Sequence, residues 1–382
     1  MKIQTIIISF ILVASLLLSG CTTEQNDKSN NTNDDTEVEE VVLTYSPINI
    51  ENLSYITPYG AIIGIHVDPI DHQYWHPPNS QSWETAQDSS EMYEIVAPAD
   101  GNITSIQRFD YGPYRFELRY SEELYSIFMV VYNLSSKILP DGDLDIGEYV
   151  ISNVPVKAGE TIAYIKNHPF DFSLNDERVN LSGFPYPEDY ESYPWKVHTV
   201  DPFEYYEEPL QSQLREKSLR KVEPVAGKID YDIEGKLVGT WFIEGSTAYK
   251  MTDGPSDDHT MLLSIVYDYS DPNHIVVSFG DYEGEPRAFG VNGNAPDPKD
   301  IDISSGMIKY ELVEYVHWQG EDPMLTIEPD PTQTIEVRNN EEIYGTVLFQ
   351  LLEERKLKME IFPNMPATEV GNFTDDSLIY FR

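Results

Sequence analysis

Two short segments carry the imidazoles and carboxylates from which a chemical site could be built. They are Ile65-His66-Val67-Asp68-Pro69-Ile70-Asp71-His72 and, far downstream, His168-Pro169-Phe170-Asp171-Phe172. Imidazole and carboxylate together bind zinc and other divalent cations. His66, His72 and Asp171 therefore form a candidate ligand set, with His168 a candidate acid–base beside it and zinc the cofactor such a set would take. A plainer reading competes, with His66 and His72 as imidazoles satisfied inside a partly buried loop and Pro69 fixing the turn between them; on that reading no cofactor is needed. Cysteine chemistry is excluded, because Cys21 is the only thiol and has another use below.

Aromatic residues suggest a second kind of chemistry. His72-Gln73-Tyr74-Trp75-His76-Pro77-Pro78 and the stretch from Tyr186 to Trp195 are rich in rings and proline. Exposed together, Tyr74, Trp75 and Trp195 would make a stacking surface for sugars or an extended peptide. Ordinary packing of loops over a small sheet accounts for the same residues. Asp257, Asp258 and His259 follow Gly254-Pro255-Ser256 and read as a solvated loop.

The elements that must position these groups are short and strand-like. Alternation and β-branched or aromatic enrichment predict strands over 61–65, 92–96, 114–120, 124–132, 161–165 and 170–174. A helix is expected over 209–221, where Leu210 and Leu214 lie one turn apart and basic residues gather toward the C-terminal end. A second run of strands is expected over 228–233, 236–243, 261–267, 274–279, 307–313, 334–337, 346–351, 356–361 and 378–381, which suggests a barrel or sandwich. The fold class is all-β.

The chain begins with Lys2 and an apolar run from Ile6 to Leu18, too short for a membrane span and suited to an export signal. From Thr22 to about Glu40 the residues are too polar to repay ordering and read as a tether. The excess of 66 Asp and Glu over 25 Lys and Arg, a net charge of −41, argues against nucleic acid and against adhesion to anionic lipid.

Three resemblances organise these observations. Leu18-Ser19-Gly20-Cys21 resembles a lipobox, which implies that Cys21 is the lipidated first residue of a mature, membrane-anchored protein facing outside the cytoplasm. Ala97-Pro98-Ala99-Asp100-Gly101-Asn102-Ile103, followed by Val156-Lys157-Ala158-Gly159-Glu160-Thr161-Ile162-Ala163-Tyr164-Ile165, resembles the scaffold of the lysostaphin-type zinc endopeptidases over roughly Tyr55 to Leu174. That family holds zinc with H-x-x-x-D and H-x-H and sets a further His before Leu in a middle strand. Here Asp68 and His72 have the first spacing with the residue types exchanged, Asn133 stands before Leu134, and Pro169 and Asp171 stand at the H-x-H pair. An amide cannot shuttle protons at neutral pH, so the resemblance implies a degenerate peptidase domain. Finally, Gly239-Thr240-Trp241 is similar to the G-x-W opening strand of the calycin-like barrels, where a terminal Arg packs on the Trp; Arg382 and Arg355 are both available.

The expected organisation is a signal at 1–20, a lipidated tether at 21–43, a peptidase-like domain at 44–202, a linker helix at 203–222 and a calycin-like barrel at 223–382. The expected function is binding or scaffolding in the cell envelope, with membrane lipid as one partner and a cell-wall glycan or peptide as another. The alternatives are a zinc-dependent cell-wall endopeptidase with a rearranged site and a carrier of a small hydrophobic molecule in the barrel.

Overall fold

Alternating apolar residues along short strands give every sheet here two unlike faces, and the site depends on that. In the computed structural model, residues 40–140, 142–247, 250–251 and 259–382 are described. The expected export signal, Cys21 and nearly all of the expected tether lie outside the described residues, as do Asp257 and Asp258.

The first half contains β1 (Tyr55–Thr57), β2 (Gln73–His76), β3 (Tyr93–Val96), β4 (Gly101–Arg108), β5 (Tyr114–Arg119), β6 (Leu124–Val131), β7 (Asn133–Leu134), β8 (Tyr149–Val156), β9 (Thr161–Ile165), β10 (Phe170–Asp176) and β11 (Thr199–Val200). The principal sheet runs β1-β2-β10-β6-β5-β4-β8, with β11 on β10, and a small sheet runs β3-β9-β7. Every pairing is antiparallel. The Ala97–Gly101 and Val156–Thr161 segments lock together at one edge. Asp100 Oδ1 accepts from the Ala158 amide at 2.9 Å, and the Gly159 amide donates to Ala97 O at 2.9 Å, with Gly159 turning at φ 77°.

The second half holds β12 (Gly239–Ile243), a hairpin of β13 (Ser246–Thr247) and β14 (Lys250–Met251), then β15 (Leu262–Tyr267), β16 (Ile275–Tyr282), β17 (Glu285–Val291), β18 (Ile308–Gln319), β19 (Asp322–Pro323), β20 (Glu336–Glu353), β21 (Lys356–Pro363) and β22 (Leu378–Phe381). Eight of these close a ring, β17-β16-β15-β12-β22-β21-β20-β18 and back to β17. The fold is all-β and the barrel is closed, which removes its sheet edges. Its interior is filled with large side chains, among them Trp241, Phe279, Phe289, Tyr310 and Phe349, none more than 1 % exposed.

Arg382, rather than Arg355, caps the barrel. Its guanidinium lies 4.1 Å above the Trp241 ring and donates to Val238 O at 2.5 Å, with Asp232 at 3.7 Å. Arg355 instead lies 3.6 Å over Tyr186 and pairs with Asp189 at 2.7 Å.

Some expected elements differ. The expected helix occurs as Leu210–Lys217, ended by extended Ser218. Residues 61–65 and 228–233 are not strands. The first is a loop because Gly60 (φ 87°) and Gly64 (φ 63°) turn the chain, and its base is tied by Gly60 N to Ile70 O at 2.9 Å. The second lies just past Gly227, where a Cβ would meet the Tyr59 backbone, and a Cβ on Gly60 would likewise meet the Lys228 carbonyl. The expected strands at 334–337 and 346–351 are parts of one long strand, β20. Residues Val41–Arg382 pack as one unit.

Candidate functional site

The face of the principal sheet that does not join the core forms the floor of a cleft. On β2, Gln73 and Trp75 turn inward, so Tyr74 and His76 turn outward. On β10, Asp171 pairs with Tyr74 and Met129, and Ser173 pairs with Ile127. On β5, Phe116 is buried while Arg115, one residue earlier, points to the outer face. Trp75, Phe170, Phe172, Phe116 and Phe128 stack on the inner side, with centroids 4.8–6.3 Å apart.

This alternation corrects one expectation. Trp75 is fully buried and cannot share a ligand surface with Tyr74 and Trp195, because neighbouring residues on a strand face opposite ways. Tyr74 and Trp195 are half-buried and line different parts of the cleft.

The 62–72 loop brings His66, Asp68, Asp71 and His72 to the rim. His72 Nδ1–H donates to Asp71 Oδ1 at 3.0 Å, and Trp195 Nε1–H donates to Asp71 Oδ2 at 3.0 Å. His72 Nε2 lies 3.5 Å from Asp171 Oδ2, near enough for an ion pair but without hydrogen-bond geometry. The His66 ring meets the His72 ring edge-on at 5.7 Å. Asp68 takes the Lys196 ammonium at 2.5 Å, which also donates to Pro69 O at 2.8 Å. Lys196 sits on α2 (Pro194–Val197), beside Trp195.

Burial and charge set the protonation of this cluster. Burial works to raise Asp71, but the His72 hydrogen bond and the Lys196, His72 and His66 charges hold it well below the usual carboxylate range. Burial pushes Asp171 up to about 6, with His72 opposing and Asp71 adding to the shift. Burial also disfavours a charge on His72, yet the Asp171 and Asp71 carboxylates raise it above its ordinary value. His66 falls to about 4 because of burial and then the charge on His72. Two carboxylates thus favour the charged form of His72, while burial favours the neutral form of His66.

His168 stands apart from His72 and shares a second lobe with Asp171. It is buried, and its Nδ1–H donates to Pro169 O at 2.8 Å, so the proton is fixed on Nδ1 while Nε2 has no hydrogen-bond partner among the described residues. Burial lowers it to about 4. Trp83, on α1 (Trp83–Ala86), meets its ring edge-on at 4.8 Å. That lobe, of about 270 Å³, is walled by Trp83, Tyr111 and Tyr74. Val130 lies in it with φ 59°, a left-handed conformation costly for a β-branched residue, at an irregularity in the β5–β6 pairing.

Zinc needs three convergent donors and an open position. Among the described residues no group of three or more His, Cys, Asp or Glu side chains is arranged to hold a metal. Of the expected set, His72 and Asp171 come within 3.5 Å of each other without a hydrogen bond, His72 Nδ1 is taken by Asp71, and Asp68 is engaged by an ammonium. The residues present therefore do not fit a zinc centre. Asn133, at the position of the family's middle-strand histidine, is exposed, and its Oδ1 accepts from the Leu134 amide.

Arg115 and Lys196 were not singled out in the sequence. Arg115 could have been found by following the alternation of β5, which places a cation on the outer face. Lys196 needed the tertiary contact with Asp68.

No protein-family model matches the chain, and no curated protein matches it. Solved structures that resemble it include the SpoIIQ–SpoIIIAH pore-forming complex, with 9 % identity over 45 % of this chain and 96 % of that one and a TM-score of 0.28. A variant of the catalytic domain of the prophage-encoded protein EnpA from Enterococcus faecalis gives 13 % identity, 36 % and 87 % coverage and a TM-score of 0.22. Lysostaphin from Staphylococcus simulans gives 12 %, 66 % and 91 %, and 0.24. At such TM-scores these are similarities only. Among the described residues no helix is long and apolar enough to cross a membrane.

Proposed function

We propose that the chain is a binding or scaffolding protein of the cell envelope, anchored by lipid on Cys21, and that it engages a cell-wall glycan or peptide in the cleft without hydrolysing it. One observation carries the reading. His72 and Asp71 are hydrogen-bonded to each other with Asp171 beside them, and the Lys196 ammonium is seated on Asp68 where a further metal donor would be required. A buried cation there repels a second one, while the flanking rings of Trp195, Tyr74 and Trp83 are suited to stacking. The packed barrel interior disfavours a carrier function, and Trp241 and Arg382 act as fold determinants.

The test uses the full chain in detergent. Elemental mass spectrometry after incubation with zinc is expected to find no stoichiometric metal, and cell-wall fragments are expected to co-sediment with the protein without new amine ends appearing. Stoichiometric zinc that is lost in both His66→Ala and Asp171→Ala, together with chelator-sensitive cleavage, would overturn the proposal in favour of a rearranged endopeptidase. The anchor is tested separately, since Cys21→Ser is expected to move the protein from the membrane to the soluble fraction.

A further inference from the structure

In a chain with 66 acidic and 25 basic side chains, an arginine without an acidic partner is unexpected. Arg108, Arg119, Arg178, Arg215, Arg287, Arg338, Arg355 and Arg382 all have a carboxylate within ion-pair distance, and Arg220, which has none, is held instead by the carbonyls of Val222, Tyr269 and Glu223. The Arg115 guanidinium makes no hydrogen bond or ion pair with any described residue. Its contact is the face of Trp195, at 5.6 Å, and it is half-buried. Five N–H donors in a partly desolvated setting are costly to leave unmade.

These donors line a cavity of about 200 Å³ on the outer face of the principal sheet. The floor is apolar, from Ile127 and Met129, with Ile70 at the side. Lys196 also lines it, and its ammonium uses two of three donors, on Asp68 and Pro69. Asp71 lines it too, but both of its oxygens are already held, by His72 and Trp195. Ser173, Tyr193 and the imidazoles of His66, His72 and His259 complete the lining, so the cavity sets two cationic side chains among polar groups beside an apolar floor.

We propose that this cavity binds a carboxylate attached to a small apolar body, with the Arg115 guanidinium gripping both oxygens and Ile127 and Met129 receiving the apolar part. A planar guanidinium fork matches a carboxylate bidentately. The Trp195 ring holds the guanidinium plane in place, and the volume admits only a short group. The C-terminus of a peptide ending in a small apolar residue and a free short-chain acid both present this chemistry. The inference rests on the binding reading above and names the ligand class for the Trp195 end of the cleft.

The test is isothermal titration calorimetry on the full chain in detergent, with N-acetyl-Ala-Ala, its C-terminal amide and 4-methylpentanoate as probes. The free peptide acid is expected to bind, and the amide to bind about tenfold more weakly or worse. Preference for the peptide over 4-methylpentanoate would assign a peptide C-terminus, and equal binding a free acid. Arg115→Gln is expected to abolish binding, and Arg115→Lys to weaken it by losing the fork while keeping the charge. Because Arg115 supports no described hydrogen bond or ion pair and its unmade donors are costly, Arg115→Gln is expected not to lower the denaturation midpoint, which separates a binding role from a structural one. Equal affinity for acid and amide, unaltered binding in Arg115→Gln, or no binding of either acid at millimolar concentration would overturn the inference. Cell-wall co-sedimentation that persists in that case would leave the broader binding reading standing, whereas chelator-sensitive cleavage would remove that reading itself.

Discussion

The outer face of the principal sheet and the interior of the barrel are built from the same material, short antiparallel strands with alternating side chains, and they end in opposite states. In the barrel the strands close on themselves, so the inward residues of all eight meet and fill the space. In the first half the sheet stays open, its inner face takes the phenylalanines and Trp75, and its outer face is left to Arg115, Asp171, Tyr74 and Ser173 under a loop and a short helix. Each region contains a buried Asp raised to about 6 by burial. In the barrel, Asp232 is paired with a permanently charged Arg382; in the cleft, Asp171 faces His72, whose charge varies with pH. Closure makes a core, whereas an open sheet under loops leaves room for a site.

Ring deletions give the largest test of this contrast. Trp241→Ala and Trp75→Ala each empty a fully buried position and are expected to cost about 3–5 kcal/mol in urea denaturation. Trp195→Ala, at a half-buried cleft position, is expected to cost about 1 kcal/mol, mainly through its bond to Asp71. Equal losses at all three positions would show that the cleft wall is core.

A buried ion pair provides the next test. Lys196→Met leaves the Asp68 carboxylate without its cation in an apolar setting and is expected to cost about 3–5 kcal/mol. Adding Asp68→Asn should recover most of that loss, because the stranded charge is gone. A single variant as stable as the native chain would mean that solvent already reaches Asp68.

A smaller effect concerns pH. Asp171 is raised from 3.8 to about 6, so the folded state binds more protons than the unfolded state between those values. The stability this group contributes is fully present below about 4 and is lost as pH rises through about 6. Asp171→Asn should therefore gain stability relative to the native chain as pH increases across that window, read from denaturation midpoints. His72→Gln removes the charge that lowers Asp171, so its carboxyl resonance should titrate still higher by NMR. An unchanged midpoint would show that the two groups do not sense each other.

The smallest effect is expected at His168. With Nδ1 committed to Pro169 O and the ring held near 4 by burial, its NMR signals should stay constant across roughly pH 5–8. A midpoint near the ordinary imidazole value would show that the second lobe is open to water.

Much of the fold was legible because alternation is local. The strands at 161–165 and 378–381 fall where the pattern places them, and Gly239-Thr240-Trp241 opens β12. Strands as short as Tyr55–Thr57 and Gln73–His76 carry too few residues to show a period and were missed. The site was legible in part. His72, in the loop just before β2, meets Asp171 on β10, whereas Trp75 was placed wrongly because its neighbours' composition says nothing of which way a strand faces.

The sequence alone determined composition, charge, the scarcity of thiols and the alternation that makes strands, since these depend on residues close together in the chain. Tertiary structure decided which sheet closes, that Arg382 rather than Arg355 caps Trp241, that Lys196 occupies Asp68, and that Arg115 lines a cavity with no hydrogen-bond or ion-pair partner among the described residues. Those outcomes depend on pairings between residues far apart in sequence, where register and burial, not residue type, choose among carboxylates and cations that are all chemically able to meet.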